Sequence, residues 1–112
     1  MKFMNLYHKR RYQKIKKLYP KSNSELQGVL YIISGNQELY KKILPALENR
    51  STCAYDLLNS ESFSSEATVL AELAMDIYKG EDSFHGSDLF QLNQENFTLA
   101  IRAKEYGFQP AL

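Results

Sequence analysis

Catalysis by side chains needs an imidazole, a thiol or paired carboxylates that a fold can bring together. This 112-residue chain is sparing with the first two: its imidazoles are His8 and His85 and its thiol is Cys53. His8 recurs at helical spacing with Tyr12, Ile15 and Leu18. That placement suits a half-buried ring hydrogen-bonded to one partner better than a general base or a metal ligand. His85 stands in the stretch GEDSFHGSD with Glu81, Asp82 and Asp88, and oxygen and imidazole groups together are a set that a divalent ion can use. Their spacing fits no EF-hand, zincin or phosphodiesterase pattern, so a solvated acidic turn is the simpler reading of these four metal candidates. Serine nucleophile elbows, P-loops and dinucleotide fingerprints are absent as patterns. A lone cysteine cannot close an intramolecular disulfide or build a Cys-rich zinc site, and reads as a packing thiol in a reducing compartment. The residues point to a protein that is not an enzyme and takes no cofactor.

The strongest chemical signal is charge. Eight of the fourteen Lys and Arg lie in the first 21 residues, where none of the thirteen Asp and Glu occurs, although the whole chain carries a net charge of only +1. One basic element therefore precedes an acidic remainder. Within HKRRYQKIKK, Lys9, Arg10, Lys14, Lys16 and Lys17 share one side of a helix, and that side has three uses. It can be a solvated back that keeps the protein soluble. It can dock an acidic protein surface, including a second copy of this chain. It can clamp phosphates in a salt-sensitive, sequence-independent way. A lipid-surface helix fits least, because the opposite face is needed for a core. Tyr7 and Tyr12, flanked by cations, are the tyrosines placed to touch a base or a partner; the other six read as core or core-edge rings with hydroxyls reaching the surface.

The elements that position these residues are helical. His8, Arg11, Tyr12, Ile15, Leu18 and Tyr19 form one face of a first helix stopped by Pro20. Ser24 to Gln27 reads as a capping box, opening a second helix with Leu26, Val29, Leu30 and Ile33 on the helical period and Tyr31 and Ile32 widening its apolar surface, hence buried nearly all round. Gly35 suits a left-handed helix end and Asn36 a cap for the third helix, which carries Leu39, Tyr40, Ile43 and Leu44, with Leu47 as a further candidate and Pro45 ending or bending it. This pair mimics a helix-turn-helix, but that motif wants a small residue where Tyr31 stands and cations where Glu38 begins the second helix. A short helix is expected from Cys53 to Leu58. Ser64 or Ser65 opens a further helix with Ala67, Leu70, Leu73, Ala74, Ile77 and Tyr78 as its stripe, ending at Gly80. Asn93 caps the last, with Phe97, Ala100, Ile101 and Lys104 on one side, Leu99, Ala103 and Tyr106 beside them, and Gly107 and Phe108 forming a Schellman ending. The expected architecture is all-α, a compact single domain of five or six short helices over residues 1–112, with no alternating strand pattern in competition.

Phe3 and His8, the segment YIISGNQELYKK from Tyr31 to Lys42, and LFQLNQENFTLAIRA from Leu89 to Ala103 together resemble a family of small uncharacterised proteins of Gram-positive bacteria and their phages or prophages, domain of unknown function 6075. The resemblance covers most of the chain outside residues 48–64 and implies an all-α fold and a mobile-element origin. It brings no catalytic residues. The absence of an apolar leader at the N-terminus and of a membrane-length apolar run points to a cytoplasmic protein. The sequence reading is a non-enzymatic interaction protein whose partner is another protein or itself, with no membrane involved. The alternative is a nucleic-acid-associated protein with the basic helix as phosphate clamp, or a phage inhibitor of a host nucleic-acid enzyme.

Overall fold

Helix α1, Leu6–Lys16, starts where Asn5 offers a side-chain cap: its Oδ1 accepts the His8 amide at 2.9 Å, satisfying one of the donors that a helix start leaves free. It ends in a tightened turn, with the Leu18 amide on the Ile15 carbonyl and the Tyr19 amide on the Lys16 carbonyl, just before Pro20, which has no amide to continue the ladder. Its inner side buries His8, Tyr12 and Ile15. The computed structural model describes residues 2–21, 23–48, 62–79 and 86–107.

Helix α2, Ser24–Gly35, is the axis of the fold. Every residue from Gly28 to Ser34 is buried, and among the described residues the helix packs against four other α-helices, which is why its apolar positions need no single stripe. Helix α3, Gln37–Glu48, buries Leu39, Ile43, Leu44 and Leu47 along one side. Helix α4, Ser65–Lys79, brings Ala67, Ala71 and Ala74 into the core, small residues that let a neighbouring helix approach closely. A 3-10 turn, Gly86–Gln91, leads to helix α5, Gln94–Gly107, which buries Leu99, Ala100 and Ala103. Among the described residues the fold is all-α: five α-helices and one 3-10 segment around one hydrophobic core. Burying each large aliphatic side chain there contributes about 1.5–3 kcal/mol.

The helix boundaries follow the sequence with instructive exceptions. The cap of α2 is Asn23, whose Oδ1 accepts the Leu26 amide at 2.8 Å, one residue before the expected serine. Asparagine and serine cap equally well, so the pattern alone does not choose between them. Gly35 is not left-handed; it is the last residue of α2, and a Cβ there would overlap the Leu99 side chain. Its use is close approach of α5. Pro45 lies inside α3, which runs on to Glu48. In α5 the buried side is Leu99, Ala100 and Ala103, whereas Phe97 is 37% exposed. The caps expected at Asn36, Ser64 and Asn93 are present, with side-chain oxygens accepting the amides of Leu39, Ala67 and Asn96. The segment from Cys53 to Leu58 and the Phe108 ending lie outside the described residues.

Candidate interaction surface

Helix α1 is held to the molecule by a polar and aromatic cluster under its first turns. His8 is 1% exposed, its Nδ1 accepting the Met4 amide at 3.0 Å and its Nε2 donating to the Tyr31 carbonyl at 3.0 Å. Both nitrogens are engaged, which fixes the neutral Nε2–H tautomer. The Tyr31 hydroxyl donates to the Lys2 carbonyl at 2.6 Å, and the Phe3 ring meets His8 edge-on at 5.1 Å and Tyr12 at 5.2 Å. From α5, Arg102 reaches the Phe3 carbonyl at 3.4 Å. Burial drives the His8 pKa down from 6.5 to about 4; the hydrogen bond to Tyr31 opposes this, and the charges of Arg11 and Arg102 add to it. A buried, neutral, doubly bonded imidazole is an anchor. It is more buried than the half-buried ring expected from the sequence, and it has two partners where one was expected.

Arg11 also belongs to the anchor. Its guanidinium turns inward to the Ser34 carbonyl at 3.4 Å and lies 5.7 Å from the centroid of the Tyr40 ring. Ser34, buried in turn, donates its hydroxyl to the Leu30 carbonyl at 2.7 Å.

The outer side of α1 is different in kind. Lys9, Arg10, Lys14 and Lys17 are exposed and Lys16 is partly so, and none of the five forms an ion pair among the described residues. Leu6 and Tyr7, 59% and 68% exposed, lie on the same outer side. At 100° per residue Leu6 falls between Gln13 and Lys17, and Tyr7 beside Lys14. Where the helix ends, an open groove of 490 Å³ is lined by Tyr12, Gln13, Lys16, Lys17 and Pro20. The structure thus gathers all five cations singled out by the sequence onto one surface with Tyr7, the exposed one of the two tyrosines expected to touch a partner, and adds Leu6. Tyr12, the other, is only 5% exposed and packs in the core, because it shares the inner face with His8 and Ile15. Leu6 precedes the buried run and so carries no core periodicity.

Other charged groups serve the fold. Glu38 accepts the Ser64 amide at 2.7 Å and pairs with Lys42 at 3.4 Å; hydrogen bonds from the Ser64 side chain and amide, with the Lys42 charge beside them, hold its carboxyl below the usual range. Glu66 accepts the Asn93 amide at 2.6 Å and the Asn96 side-chain amide at 3.1 Å, with the same effect. Of the four metal candidates, Asp88 lies in the 3-10 turn and accepts from Gln91 at 3.3 Å, while Glu81, Asp82 and His85 lie outside the described residues. Among the described residues there is no cluster of three metal-ligating side chains, and no helix is long and apolar enough to cross a membrane. Comparison with protein-family models, with curated proteins and with solved structures found no match.

Proposed function

We propose that this protein is a non-enzymatic binding protein whose working surface is the outer side of α1, docking an anionic partner. The observation that carries the reading is the set of five cations without a carboxylate partner among the described residues, on a helix whose inner side is engaged in the core. A solvated back would serve solubility with mixed signs, and single-sign charge crowded on one helix costs self-repulsion. Exposed Leu6 and Tyr7 give the cationic side a small apolar area for a partner to cover. A bacterial or mobile-element origin, implied by the sequence resemblance alone, is part of this reading.

The test is photo-crosslinking in a bacterial host, with benzoylphenylalanine at Gln13 on the basic side and, as control, at exposed Thr68 of α4. Discrete adducts at Gln13 that disappear when Lys9, Arg10, Lys14, Lys16 and Lys17 are changed to Gln are expected. Adducts that form equally at Thr68, or that ignore the charge change, refute the surface. Turnover of a substrate by the isolated protein, abolished by His85→Ala, refutes the non-enzymatic reading.

A further inference from the structure

We infer that the outer side of α1 binds single-stranded nucleic acid, with Tyr7 as a stacking platform for a base and Lys9, Arg10, Lys14, Lys16 and Lys17 on the phosphates. This rests on the reading of α1 as a binding surface and names its partner.

The composition of the surface separates nucleic acid from protein. Four of its five cations are lysine, which the buried cores of protein interfaces avoid and phosphate contacts use freely. Its apolar content is two side chains at one end, Leu6 and Tyr7. That is little to centre a stable protein interface of ~800 Å² per partner. A membrane surface attracts the same cations, but a helix lying on lipid inserts its apolar side, and here His8, Tyr12 and Ile15 are spent on the core.

The shape separates single strands from duplex. In a duplex the bases are already stacked and an exposed tyrosine ring finds no partner, whereas unpaired bases stack on aromatic rings without regard to sequence. From Tyr7 to Lys17 the helix rises ~15 Å, or roughly four steps of ~3.4 Å along a strand. Tyr7 marks one end of that span. The groove floored by Tyr12 and Pro20 marks the other, where Gln13 lines it with a donor and an acceptor for a base edge and Lys16 and Lys17 bring positive charge.

The test is fluorescence anisotropy with a labelled oligothymidylate of about a dozen nucleotides, competed with a duplex of equal length, phosphatidylserine vesicles and polyglutamate. Expected are preferential binding to the single strand and a log–log salt slope of roughly −0.7 per phosphate contacted. Tyr7→Ala should weaken binding roughly 5- to 150-fold and Tyr7→Phe should retain it; Tyr7 is exposed, so neither change disturbs the core, which circular dichroism verifies. Lys16→Gln should flatten the slope by about 0.7. Wild-type affinity in Tyr7→Ala, equal or tighter binding of duplex, or equal binding of vesicles or polyglutamate each overturns the inference. If Gln13 adducts depend on the five cations but oligothymidylate does not bind, the partner assignment falls and the binding surface stands.

Discussion

Acid should loosen this protein before its carboxylates begin to titrate, and His8 sets the amount. In the folded state its pKa is about 4, against 6.5 for the free side chain. The lowered value means that the unfolded chain takes up the proton first. The contribution of His8 is therefore complete above pH ~6.5 and is lost as pH falls toward the folded value. At 1.36 kcal/mol per unit, the loss is about 2 kcal/mol by pH 5 and approaches about 3 kcal/mol below pH 4. The cause is geometric: a protonated ring would point a second N–H at the Met4 amide, already a donor to Nδ1, while facing Arg11 and Arg102. Urea unfolding followed by far-ultraviolet circular dichroism at pH 7 and about pH 5, for wild type and His8→Gln, isolates this contribution. Glutamine keeps an acceptor and a donor but cannot titrate, so the variant is less stable at pH 7 and loses about 2 kcal/mol less on acidification. Equal acid sensitivity of the two proteins, or an NMR titration of His8 near 6.5 in the folded state, refutes the reasoning.

Two further changes probe the packing of α5 against α2 and α4. Gly35→Ala should cost about 1–3 kcal/mol in urea unfolding, because the new methyl overlaps Leu99, whose side chain is fully buried and has nowhere to swing; combined with Leu99→Ala, the cost should fall well short of the sum of the single changes. Glu66→Ala removes the acceptor of the Asn93 amide and of the Asn96 side chain. Hydrogen exchange at Asn93 should quicken, while the unfolding midpoint moves little.

The helical class was legible because its signals are local. Apolar spacing in α1 and α2, and cap residues such as Asn36 and Asn93, act within one or two turns. What was not legible depends on pairs distant in sequence. Gly35 looks like a helix terminator until α5 is in place, since the residue that demands a missing Cβ is Leu99. His8 looks half-buried until Phe3 and Met4 fold under it and Tyr31 offers a carbonyl. Arg11 falls on the inner face by helical angle, but its partners, the Ser34 carbonyl and the Tyr40 ring, come from α2 and α3 and could not be read from α1. For the candidate surface, helical angle alone put the five cations on the outer side, and the flanking charges marked Tyr7. The exposure of Leu6 and the burial of Tyr12 required knowing where the core begins.

That division of labour within α1 has a consequence for stability that distinguishes a working surface from a structural one. If the five cations helped to hold the fold, changing them to Gln would destabilise it. They have no ion-pair partner among the described residues, and Arg10 with Lys14, and Lys14 with Lys17, are like-charge neighbours at helical spacing, each pair costing about 0.2–0.5 kcal/mol. Against this, Lys14 and Lys16 sit in the last turn, where a cation gains about 0.3–1 kcal/mol from the helix dipole. The two effects nearly cancel, so the five-fold Gln variant should unfold within about 1 kcal/mol of wild type. A loss of several kcal/mol, measured by urea unfolding at low salt, would make the basic face part of the scaffold. An unchanged midpoint together with lost binding would mean that the charge is kept for a partner, since the fold neither needs it nor gains from it.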